Sequence, residues 1–222
     1  MTPPILEFIV SHFRFDRKIA WEYSLKVKLK MDFRSIVSSL DFPSGAEYRV
    51  GPHEGDGDIH SLIDIILSVM RRGQFSFAFS ESLTGGMLSD LIVSHSGASI
   101  VFKGADVVYS ISAHEDVLGI PGAYLRNYGI ESVQIATVAA KSVLDRFSST
   151  HAISISGFAS QWDSVPVAEI GVAHMAFQTP KKVHVQRVDF SVFRGQKNLI
   201  REKACYVAMK IFLQLLFEEA GQ

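Results

Sequence analysis

The sequence predicts an α/β protein, a mixed sheet with helices on both faces. Three observations predict it. From residue 58 onward, short apolar runs of strand length alternate with segments of helical period. Two long alternating segments, EIGVAHMAFQ and KVHVQRVDFSVF, flank Thr179-Pro180-Lys181 as the arms of an antiparallel hairpin would. The chain of 222 residues is 47% hydrophobic, which suits one globular domain with a sizeable core and an appendage.

The elements follow in order. YSLKVKLKMDFR, residues 23–34, alternates Leu25, Val27, Leu29, Met31 and Phe33 with three lysines and Asp32, so it reads as an amphipathic strand with a solvated face. PSGAEYRVGPHEGDGD is rich in Gly, Pro and charge and reads as a loop, placing the domain boundary at residue 58. A helix follows, capped by Asp58 and ended by Gly73. Residues 75–80 read as a buried strand, 87–96 as a short helix, and ASIVFKGADVVYS as carrying a second strand. SAHEDVLGI is a helical turn leading to Pro121. Ser132 caps a helix through Phe147 whose Ile135, Val138, Ala139 and Val143 share a face. Strand HAISIS, the hairpin and a closing helix over 198–218 complete the chain.

Composition narrows the ligands. With 22 basic and 23 acidic residues, no global field holds nucleic acid or an anionic membrane, and a small molecule is the expected partner. Cys205 is the single cysteine, which excludes an internal disulfide and a Cys-rich zinc site and fits a reducing, cytoplasmic setting. No apolar run approaches the roughly 20 residues of a membrane span, and the early apolar stretch lacks the basic region of a secretory leader. EGDGDIH is oxygen-rich but lacks calcium-loop spacing, and a helix cap explains Asp58; the histidines lack zinc-ligand spacing, so no metal is expected.

The chemistry concentrates at ESLTGG, where a strand delivers Ser82 into a turn and Gly85 and Gly86 open the next helix. Unbonded amides at such a turn suit a phosphate, or the oxyanion formed when Ser82 attacks an acyl or amide carbon. The plainer alternative is that Ser82 or Thr84 caps the helix and the glycines relieve crowding. Neither the G-x-S-x-G of a hydrolase elbow nor the Gly-Lys-Ser/Thr of a P-loop is present.

Five blocks in order resemble the C-terminal domain of the CinA proteins, a family that includes the nicotinamide mononucleotide deamidases. SESLTGG is similar to the family's AESCTGG, FKGADVVYSISAH to FRGGVVAYSNEAK, and YGIESVQIA to HGAVSEEVA. SGFASQWDS and GQKNLIR match SGIAGPDGG and GDREAVR. The likeness runs from about residue 59 to the end. It implies a three-layer α/β/α sandwich over 59–222 behind an N-terminal extension, 1–58, too short for the molybdopterin-binding-like domain of full-length CinA. The implied activity is hydrolysis of the carboxamide of nicotinamide mononucleotide to the acid and ammonia, with no metal or redox cofactor.

By the same resemblance Ser82 is the nucleophile, Tyr109 positions or polarises the reacting groups, and Thr84, Gly85 and Gly86 line the pocket. Gly157 opens a second backbone wall, and Arg201 faces a phosphate unless it is simply a solvated helix residue. A homodimer is also implied. The sequence departs from the family at His114, which stands where the family has a lysine suited to act as base, and at Ile111, where it has asparagine. His114 either takes over the proton transfer or is a plain surface histidine. Ser160-Gln161-Trp162-Asp163 and Gly195-Gln196-Lys197-Asn198 replace family loops. These departures leave a second expectation open, a catalytically degenerate relative that keeps a nucleotide pocket or an assembly role.

Overall fold

The computed structural model describes residues 45–54, 56–161 and 165–220. The strand read at 23–34 lies outside the described residues. Six strands form one sheet in the order β1-β6-β5-β4-β2-β3. β2 (Phe77–Glu81), β3 (Phe102–Val107) and β4 (His151–Gly157) run parallel, with β2 between the other two. β5 (Val172–Gln178) is antiparallel to β4, and β6 (Val183–Asp189) returns antiparallel to β5 as the hairpin predicted. The sheet is therefore mixed, with helices on both faces.

β1 (Glu47–Arg49) extends the sheet beyond β6, pairing Tyr48 with Val188 in parallel. This segment lies in the stretch read as loop, because three residues are too few to display an alternation.

One face carries α1 (Ile59–Arg72), α2 (Met87–Val93), α3 (Ala98–Val101) and α7 (Lys197–Ala220), packed on Phe77, Phe79, Ile153, Ile155 and Met175. The other carries α4 (Ile111–Asp116), α5 (Gly122–Tyr128) and α6 (Val133–Arg146), packed on Ala78 and Ala152. The alternation Phe77-Ala78-Phe79 thus sends large side chains one way and a small one the other, so α6 approaches the sheet closely through Ala136, Ala139 and Ala140.

The caps work as their chemistry requires. Asp58 accepts from the His60 amide at 3.0 Å and from Ser61 Oγ at 2.6 Å, and Ser132 Oγ accepts from the Ile135 amide at 3.2 Å. α5 is not among the elements read from the sequence; the fixed φ and missing N–H of Pro121 suit the start of a helix. The strand in ASIVFKGADVVYS occupies only its later part, since residues 98–101 form α3. α7 is buried almost all round and includes two buried lysines. Lys210 Nζ donates to Glu54 Oε1 at 2.6 Å and Lys203 to Asp56, which fastens the segment before residue 58 onto the domain. Among the described residues no helix is long and apolar enough to cross a membrane.

Candidate active site

Parallel strands β2 and β4 end side by side, with Ser82 directly after the last residue of β2 and Ser156 one residue before the last of β4. The Ser82 amide continues the ladder by donating to the Ile155 carbonyl at 3.0 Å, which fixes the turn that follows. Ser82 Oγ then donates to Glu131 Oε1 at 2.9 Å. Ser156 Oγ, from the end of β4, donates to Glu131 Oε2, so one carboxylate spans both strand ends. Glu131 lies in the short link between α5 and α6, directly before the Ser132 cap. Burial pushes its carboxyl above the usual glutamate range, while the Ser156 and Ser82 hydroxyls, His114 and the Gly157 amide pull it partly back.

This carboxylate faces a cavity of about 610 Å³. Ser82, Gly85 and Gly157 line it on the strand side, Tyr109 and His114 on another, and Lys197 and Arg201 on the α7 side. Gly157 is required there: a Cβ would sit 2.3 Å from the Val172 carbonyl oxygen and 2.8 Å from Leu83 Cδ1, so any side chain would displace β5 or the Ser82 turn. Tyr109 is exposed, its hydroxyl 3.5 Å from Lys197 Nζ. Ser160 and Gln161 of the altered loop reach the cavity, while Trp162 and Asp163 lie outside the described residues. A second cavity of about 440 Å³ shares Ile130, Glu131 and Phe158 with the first and takes Ile111 into its lining.

Three sequence expectations are corrected. His114 is no surface histidine: it is 2% exposed, and its Nδ1 lies 2.8 Å from the Ser110 carbonyl on its own helix. A carbonyl only accepts, so Nδ1 carries the proton; no hydrogen bond links His114 to Ser82 among the described residues. Arg201 is no solvated helix residue either. Its Nε and Nη2 donate to the Thr84 carbonyl at 3.1 and 2.7 Å, tying α7 to the Ser82 turn.

The third correction concerns the amides at the start of α2. Those of Gly86, Leu88 and Ser89 donate to the buried Glu81 carboxylate at 3.0, 3.1 and 2.9 Å, joined by Thr84 Oγ1 at 2.7 Å and Ser89 Oγ at 2.5 Å. The chain supplies its own anion to the helix start, so these donors are not open to a phosphate or an oxyanion. Of the three turn residues expected to line the pocket, Gly85 does; Thr84 is fully buried against Glu81, and the Gly86 amide faces Glu81.

Sequence reasoning missed Glu131 and Ser156. A signal for the first existed: within YGIESVQIA, Glu131 stands where the family block HGAVSEEVA has valine, an acid in an apolar place. Ser156 stood in plain view in HAISIS, but nothing in a period of two distinguishes a strand-end serine that binds a carboxylate from one that does not.

The class these features define is a three-layer α/β/α protein with a serine and a carboxylate at the C-terminal ends of adjacent parallel strands, where such sheets bind ligands. The family model of the CinA C-terminal domain matches residues 59–216, and the chain belongs to that family. A CinA-like protein of Flavobacterium psychrophilum is 30% identical over 158 residues, 71% of this chain and 36% of that protein. A CinA-like protein of Anaeromyxobacter dehalogenans is 29% identical over 158 residues, 71% of this chain and 37% of that one. The chain thus spans well under half the length of these relatives. Among solved structures, a competence or damage-inducible protein from Enterobacter asburiae superposes with a TM-score of 0.68 at 23% identity, covering 72% of this chain and 99% of that one. A CinA superfamily protein from Escherichia coli gives 0.67 at 18% identity, over 80% and 99%. Both share the α/β/α fold.

Proposed function

We propose that this protein is an amidohydrolase of the nicotinamide mononucleotide deamidase type, hydrolysing a pyridine nucleotide carboxamide to the acid and ammonia. One observation carries the reading: the Ser82 hydroxyl stands at the wall of a 610 Å³ cavity that also presents a phenol and two cations. That volume lies in the range of small-molecule sites. In this reading Ser82 attacks the carboxamide carbon, Tyr109 polarises or orients the amide, and Lys197 with Arg201 meets the phosphate. Gly85 and Gly157 let the ligand approach the main chain. The test is ammonia release from nicotinamide mononucleotide by the protein and by Ser82→Ala. The reading expects a loss on the order of 10³-fold or more in the variant. Equal rates reject the serine mechanism, and no release by the unaltered protein rejects the substrate.

A second reading has an observation of its own: Glu81 holds the helix-start donors on which an oxyanion or phosphate site was expected to draw. It favours a protein that binds a nucleotide without turning it over. Ligand-induced thermal stabilisation with no ammonia released would support it.

A further inference from the structure

We propose that Glu131 is the catalytic base that takes the Ser82 proton and returns it to the leaving nitrogen. This rests on the amidohydrolase reading for its substrate, but on geometry for the base. Ser82 Oγ makes its hydrogen bond to Glu131 Oε1 at 2.9 Å, within the reach a general base needs. Both carboxylate oxygens accept from hydroxyls, the pattern of the ionised, proton-accepting form. Ser156 holds the far oxygen, which aims the near one at Ser82. Among the described residues Ser82 Oγ bonds neither of the other basic groups at the cavity, His114 and Lys197, and the Arg201 guanidinium stays protonated and accepts nothing. Burial raises the carboxyl, which adds proton affinity to the ionised form that accepts the serine proton.

The steps balance. Ser82 Oγ bonds to the carboxamide carbon, the carbonyl π pair moves onto oxygen, and the serine proton passes to Glu131 Oε1. When the pair returns, the C–N bond breaks and the Glu131 proton goes to nitrogen, which leaves as ammonia. Water then attacks the acyl-serine, gives a proton to Glu131, and the carbon–oxygen bond to Ser82 breaks as that proton returns to Oγ. The net reaction is amide plus water to acid plus ammonia.

The base can be tested without the substrate. A fluorophosphonate phosphonylates an activated serine, and intact mass reads the rate on the full chain. The expectation is that Ser82 labels, that Ser82→Ala does not, and that Glu131→Gln labels roughly 100-fold or more slowly. In the unaltered protein the rate should fall as acid titrates Glu131. The titratable and charged groups that face this carboxylate are Tyr109, His114, Lys197 and Arg201 across the main cavity, and Glu115 and Arg126 across the second. Glu131→Gln labelling within twofold of the unaltered protein, a rate flat across the acid range, or a Ser82 that never labels would each overturn the proposal. Should Glu131→Gln not fold, Glu131→Asp, which keeps the carboxylate but withdraws it from Ser82, takes its place with the same expectation of slower labelling. Glu131-dependent labelling without ammonia release would sink the pyridine substrate and leave the base standing.

Discussion

Glu131 carries opposite consequences for reactivity and stability. Because its carboxyl titrates higher in the folded chain than in the unfolded one, ionising it disfavours the fold. Stability from this group is present below the unfolded pKa and declines as pH rises through the raised folded value. Glu131→Gln removes that ionisation, so the variant should melt at an unchanged or higher temperature at pH 7 while losing its serine reactivity. A carboxylate serving only to tie β2 to β4 predicts the reverse, a lower Tm, and a thermal melt separates the two. Much of this site was visible beforehand: Ser82, Tyr109, Gly157 and Arg201 stand in matched blocks. Glu131 stands in one too, but its role was hidden because its bond to Ser82 joins residues 49 apart, across a helix not read from the sequence.

At the scale of elements, β2, its turn and α2 act as a unit organised by Glu81. Five donors converge on one buried carboxylate, so Glu81→Ala would leave several buried polar groups unsatisfied. The expected cost is at least about 3 kcal/mol, read by urea denaturation, with reactivity of Ser82 lost in the same variant because the turn loosens. The long, capped or strongly alternating elements were legible from the sequence, as Asp58, Ser132 and the hairpin at Thr179-Pro180-Lys181 show. Elements set by contacts rather than period were not. β1 exists because β6 offers an edge, and Glu81 looked like one more strand residue until the α2 amides were seen to close on it.

For the whole molecule, residues 45–58 matter more than their loop-like composition suggests. They supply β1 and the carboxylates that pair with Lys203 and Lys210, both buried on α7. A chain beginning at residue 59 would retain the family-matched region yet remove the carboxylates to which those lysines donate. The loss at Lys210 alone is about 3 kcal/mol, or roughly 6–12 °C in Tm. The comparison is with a chain beginning at residue 45, and equal melting of the two shortened chains would show the segment to be dispensable.

α7 is a single helix of 24 residues, about 36 Å long. Its tip presents Lys197 and Arg201 to the cavity, and its flank grips Glu54 and Asp56. Rods do not bend easily between such points. The stretch ahead of α1 therefore works as a splint: by immobilising the shaft it fixes where two positive charges stand, far from any atom it touches.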